Sequence, residues 1–248
     1  MHLLLSGEGA SDIGVCYPAD EKCQSDVFQP GPMAWIVDQC VEHYQGYELS
    51  YIENGLIFFV SESYLANNKP PARSMRVPGK KKPTETSYFY HNARALAHAA
   101  KSISETVDDV IIAVLFRDAD GTASKGRGHW RRKYISMLEG FDAEDFGLGV
   151  PMLAKPKSEA WLLCAMKPKS PYQHCAVLEQ ASGNDDSPNS LKNQLNAACQ
   201  GKTSAEELAD AAKTGYIQWE RIDMPSLNAF KDRLEDVVRR ARQYKAER

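Results

Sequence analysis

The stretch that decides the fold is "DDVIIAVLFRDADGT", residues 108–122. From Val110 to Phe116 every residue is apolar, and Val and Ile are prominent. A run this short and this uniformly apolar predicts a strand covered on both faces, as in a parallel sheet. It stops at Arg117, and two carboxylates, Asp118 and Asp120, then flank one alanine ahead of Gly121 and Thr122. On an extended chain residues i and i+2 point the same way, so the pair can grip one cation while Gly121 lets the backbone turn behind it.

Working outward, "HLLLS" at 2–6 predicts a second buried strand that stops at Gly7-Glu8-Gly9, and "GLGVPMLA" at 147–154 predicts a third. Helical spacing occupies 33–43, 129–139 and the segment from Ser158. A long helix is predicted over 84–107, with Thr84 as a cap and Ala93, Leu96, Ala97 and Ala100 on one face. Residues 47–60 predict a β-hairpin turning at Asn54-Gly55. Further helices are predicted near 190–199 and 204–213 and from Pro225, a residue that suits a first turn. The mixed charges of "RLEDVVRRARQYKAER" predict a surface or partner-facing end. Strands alternating with helices predict an α/β fold with a central, mainly parallel sheet flanked by helices. The catalytic part is expected over 1–166, with a helical C-terminal extension over 167–248 packed on the same domain.

Composition narrows the function classes. The chain has 248 residues, 43% hydrophobic and 25% charged, with a net charge of −3. That excludes a globally basic nucleic-acid binder, so any such binding must use local patches. Six cysteines show no CxxC spacing, which predicts neither a zinc site nor a disulfide framework, and Cys164 is expected to be a buried apolar residue. No apolar run reaches the length of a membrane span, and the first residues lack a charged leader. A cytoplasmic protein is expected.

Three acidic positions share one predicted edge. Glu8 follows the first strand, Asp118 and Asp120 follow the most buried one, and Glu159 follows the strand at 147–154. Each alone has a plainer reading: Asp-x-Asp-Gly as turn chemistry, Glu8 and Glu159 as first-turn helix acids. Together they fall where open α/β sheets bind ligands, outside the carboxyl ends of the strands. Crowded carboxylates repel, and a hard divalent cation such as Mg²⁺ or Mn²⁺ removes the conflict.

The strand ending in Glu-Gly, "HLLLSGEG", and the later strand ending in Asp-x-Asp, "VIIAVLFRDADGT", resemble the Toprim family. The block "KPKSEAWLLCA" is similar to the Glu-Ala-Trp segment of small bacterial Toprim-like proteins of the DUF4276 type. These motifs span residues 2–166. The resemblance implies a compact Rossmann-like fold and Mg²⁺-dependent chemistry on phosphodiesters. On this chain it implies Asp118 and Asp120 as metal ligands, Glu8 as general acid/base or a further ligand, and Glu159 on a second metal or its water. With no ATPase, primase zinc module or topoisomerase body in view, hydrolysis of DNA or RNA fits better than strand transfer. Small Toprim-like proteins are often encoded beside an ATPase, including in antiphage systems, so a protein partner of that kind is a further expectation.

Basic residues flank the acids. Lys125, Arg127, Arg131, Arg132 and Lys133 surround His129 and Trp130, and Lys69, Arg73, Arg76, Lys80, Lys81 and Lys82 fill the proline-rich loop 69–82. Lys125, Arg127, His129 and Arg131 are the candidate nucleic-acid contacts, because cations on phosphates supply most nonspecific affinity and an aromatic can stack on an unpaired base.

Two other readings use the same residues. "DADGT" also matches the haloacid-dehalogenase signature, with Asp118 as phosphorylated nucleophile and Asp120 as general acid. That motif normally sits near its domain's N-terminus, and the later acidic pair Asp185-Asp186 follows no hydrophobic strand. The third reading is a non-catalytic regulatory subunit that binds a nucleotide or a nucleic-acid end.

Overall fold

The computed structural model describes residues 1–71, 84–119 and 130–246. Asp120, Lys125, Arg127, His129 and most of the basic loop 69–82 lie outside the described residues.

The apolar run forms β6 (Ile111–Asp118), and every residue from Ile111 to Arg117 is buried. It lies in a five-stranded sheet with β1 (His2–Gly7), β3 (Lys22–Gln24), β5 (Ile57–Val60) and β7 (Gly149–Ala154), in the order β3-β5-β1-β6-β7. The pairs β1–β5, β1–β6 and β6–β7 are parallel, and β3 joins antiparallel at the edge. Leu3 stands opposite Ile112, and Asp118 opposite Ala154. The three strands expected to carry acids are therefore adjacent, and their carboxyl ends share one rim.

Helices cover both faces. On one side α3 (Thr84–Val107) packs on β6, and α4 (Trp130–Asp142) packs on α3 and β7. Ala93, Leu96, Ala97 and Ala100 on α3 are fully buried, as their spacing predicts. Gly140 removes the side chain where α4 meets the Tyr90 carbonyl of α3. On the other side lie α1 (Pro32–Gln45) and α8 (Pro225–Ala246). The charged face of α8 is at the surface, with Asp232, Glu235, Arg239 and Arg242 exposed, while Leu227, Phe230, Leu234, Val237, Val238 and Ala241 form an apolar stripe at helical spacing that packs on β6, β7 and α1. The C-terminal helices thus supply one layer of the sheet's cover rather than an appendage. Short helices α2 (Glu62–Asn67), α5 (Ser158–Met166), α6 (Leu191–Ala198) and α7 (Ala205–Lys213) complete the described fold.

Two expectations are overturned and one element was not foreseen. The hairpin at 47–60 does not form. Gly55 does turn (φ 73°), but only Ile57–Val60 is a strand, and it runs parallel to β1. The reason lies upstream: the buried Asp38 carboxylate accepts from the Tyr51 N–H at 2.6 Å, the Ile52 N–H at 3.2 Å and the Ser50 hydroxyl at 2.7 Å. With those donors taken, 50–52 cannot pair as a strand, and the segment becomes the return leg of a βαβ crossover. A second miss is the small two-stranded sheet of β2 (Gly14–Cys16) and β4 (Phe28–Pro30). Third, cysteines pair: Cys16 with Cys23, and Cys164 with Cys175, while Cys40 and Cys199 are free. Cys164 is buried as expected, but as half of a disulfide.

Candidate functional site

At the rim, β1 ends at Gly7 beside Phe116 of β6, which puts Glu8 level with the end of that strand. The Glu8 carboxylate accepts the Asp118 backbone N–H at 3.1 Å. Two acids separated by 110 residues in sequence therefore touch, as the shared edge predicts.

The Asp118 carboxylate in turn accepts the Ser158 backbone N–H at 3.0 Å, at the start of α5. The buried Ser158 hydroxyl donates to Asp12. Ser158 thus ties together an acid from the β1 loop and an acid from β6. Glu159 follows in the first turn of α5, and its buried Oε2 meets no hydrogen-bond partner among the described residues. Glu8, Asp12, Asp118 and Glu159 line one rim formed by β1, β6 and the β7–α5 junction.

Asp12 and Ser158 were missed as site residues. Asp12 reaches the rim because the chain folds back at Gly9 (φ 80°), where the Asp12 N–H donates to the Gly9 carbonyl at 3.1 Å. A side chain at Gly9 would place its Cβ 2.6 Å from the Asp12 carboxylate. The signal was the Gly-Glu-Gly turn itself, which returns the chain toward the strand end. Ser158 gives no local signal, since its partners lie 40 and 146 residues away.

The electrostatics are those of buried acids that also stand near one another. Burial raises the Asp118 pKa well above the usual carboxylate value; Asp12, Glu159 and Glu8 push it further, and the Ser158 N–H opposes them. Burial also raises Glu8, with the Arg117 charge and the Asp118 N–H pulling the other way. Asp12 is raised by burial against the hydroxyls of Ser158 and Ser11. Glu159 is raised by burial, with Asp12 adding to the shift. Lys157 stands nearby; burial lowers its pKa, but the Asp185 bond at 2.7 Å and the charges of Glu159 and Asp118 outweigh that and raise it. Asp185 therefore approaches the rim already paired, from a loop that no strand precedes.

The basic flank changes character. Arg131 and Arg132 are exposed at the start of α4, as a phosphate contact requires. Lys133 is buried; its ammonium donates to the Ala119 carbonyl and lies 5.3 Å from the Phe89 ring centre. It braces the strand end and is not a surface cation. Trp130 stacks on Tyr134 at 5.1 Å and donates to the Leu153 carbonyl at 2.8 Å, so its ring is committed to the fold rather than offered to a base.

Among the described residues, no group of three or more His, Cys, Asp or Glu side chains stands close enough together to hold a metal ion. No helix in the described residues is long and apolar enough to cross a membrane. In comparisons with known proteins, the chain matches no family model, no curated protein and no solved structure.

Proposed function

We propose that this chain is a Toprim-type, metal-dependent phosphodiesterase that hydrolyses DNA or RNA. The observation that carries the reading is the meeting of Glu8, Asp12, Asp118 and Glu159 at one rim of the sheet, with Glu8 against the Asp118 backbone. Burial holds all four carboxyls above their ordinary values, and neighbouring acids add to the shift. Its donors are oxygens only, and Glu159 Oε2 has no partner among the described residues. Oxygen donors of this kind suit a hard cation, Mg²⁺ or Mn²⁺, rather than a soft one, and the described acids would have to draw closer together to enclose it. Asp118 and Glu159 would hold it with Asp120, and Asp12 would join them. A bound cation of this kind would polarise the phosphodiester and favour ionisation of water.

The chain's own residues would supply the rest. Ser158 fixes the Asp118 and Asp12 carboxylates. Glu8, raised by burial from its ordinary value, exchanges a proton with the attacking water or the leaving oxygen. Arg131, with Lys125, Arg127 and His129, would contact flanking phosphates. An ATPase partner, a role in antiphage defence and a cytoplasmic location belong to the same proposal; the two disulfides weigh against the last.

The contact between Glu8 and Asp118 favours this reading over a haloacid-dehalogenase-like phosphatase, which has no use for Glu8. The test is incubation with labelled DNA and RNA in Mg²⁺ or Mn²⁺ against EDTA, beside Asp118→Ala. Cleavage that needs metal and is lost in the variant supports the reading. Cleavage that survives both treatments ends it. Nucleic-acid binding without turnover, unchanged by the substitution, supports the regulatory-subunit reading instead.

A further inference from the structure

Arg117 precedes Asp118 on β6 and is fully buried. Its side chain alternates to the opposite face of the strand from Asp118, toward α3, where the guanidinium carbon lies 5.6 Å from the Tyr88 ring centre. One terminal nitrogen, Nη1, donates to the Phe116 carbonyl at 2.7 Å. The other two, Nε and Nη2, meet no acceptor among the described residues. These two nitrogens form one complete edge of the guanidinium fork, the edge that matches two oxygens of a phosphate or carboxylate. A buried cation with an unused fork is costly to keep, and buried unpaired polar groups call for an explanation.

The surroundings say what would complete it. Arg117 is the leading favourable influence on the Glu8 carboxylate, but the two make no ion pair within 4.0 Å. Glu8 is already engaged with the Asp118 N–H. The ring over the guanidinium belongs to Tyr88, which is 38% exposed and whose hydroxyl donates to Glu62 at 2.6 Å. The arginine is thus covered by a side chain at the surface, latched by one hydrogen bond. A cation-binding rim on one side of Glu8 and an unfilled guanidinium fork on the other suit a substrate with more than one phosphate.

We propose that Arg117 is an anion subsite that binds a phosphate flanking the scissile one, opened when Tyr88 leaves its hydrogen bond to Glu62. This rests on the phosphodiesterase reading for the identity of its ligand, but its test needs no turnover.

The full-length chain in EDTA is titrated calorimetrically with inorganic phosphate and with a 5′-phosphorylated oligothymidylate. The wild type is compared with Arg117→Met and Arg117→Lys, and each protein's melting temperature is recorded. The subsite predicts binding of both probes by the wild type, about 10- to 100-fold weaker in Arg117→Met and less weakened in Arg117→Lys, where a charge remains but not the fork. It also predicts that Arg117→Met melts close to the wild type, because the edge of the fork that it removes meets no acceptor among the described residues. No phosphate binding by the wild type, equal binding by Arg117→Met, or a Met variant that melts well below the wild type overturns the proposal; the last outcome makes the arginine structural. Failure of the two readings is distinguishable. Metal-dependent cleavage with phosphate binding untouched by Arg117→Met sinks the subsite alone, and Arg117-dependent binding without any cleavage sinks the phosphodiesterase alone.

Discussion

Replacing Asp118 with Asn should stabilise the metal-free protein while abolishing its proposed activity. Asn keeps the oxygen that accepts the Ser158 N–H at 3.0 Å and nearly the same volume, and removes only the charge. Asp118 and Asp12 both accept from Ser158, which keeps their carboxyl groups close to one another. At an effective dielectric near 20, two charges roughly 6 Å apart repel by about 3 kcal/mol. A proton shared among the four acids and the remaining contact with water relieve part of this, leaving roughly 1–2 kcal/mol at neutral pH. For a chain of this size that is a rise in melting temperature of about 2–8 °C. The pH dependence follows from the direction of the shift. The folded pKa of Asp118 lies above its unfolded value, so its charge penalises the fold above that raised pKa and does nothing below the unfolded one. The advantage of the Asn variant is therefore full at high pH and fades as pH falls toward about 4. Paired thermal melts in EDTA across this range report Asp118 together with the acids coupled to it, because groups remote from the rim cancel in the difference. An Asn variant that melts at or below the wild type at neutral pH, or an advantage that grows on acidification, refutes the crowding of acids at this rim.

Other perturbations probe neighbouring parts of the account. Glu8→Gln keeps an acceptor for the Asp118 N–H and should fold normally, yet lose metal-dependent cleavage; full activity in that variant would favour the haloacid-dehalogenase-like reading. Asp38→Ala removes the acceptor of two backbone N–H groups and one hydroxyl beneath the 50–52 turn, and should cost about 2–4 kcal/mol by denaturant unfolding. A cost under about 1 kcal/mol would mean that this carboxylate does not decide against the hairpin.

The legible parts of the sequence were those where a local pattern and the fold agree. The run 110–116 reads as a doubly covered strand from its shortness and its Val and Ile content, and α3 follows the spacing of its alanines and Leu96. Glu8 and Asp118 were legible because both acids end buried strands, and the sheet order makes those strands neighbours. The hairpin was misread because its turn residues do turn, while the decision against strands is taken by Asp38, thirteen residues before Tyr51. Strands of three residues, such as Gly14–Cys16 and Phe28–Pro30, are too short for alternation to register. Cysteine pairing depends on which loops meet, and spacing alone does not encode that. Asp12 and Ser158 acquire their place through each other across the fold, so neither stands out in its own segment.

The most direct test of the central claim is calorimetric titration of Mn²⁺ into the metal-free wild-type chain at neutral pH, repeated with Asp118→Asn. Saturable binding by the wild type that is lost or greatly weakened in the variant is the predicted result. No saturable binding by the wild type, or the same isotherm from both proteins, would contradict a cation site built from these acids.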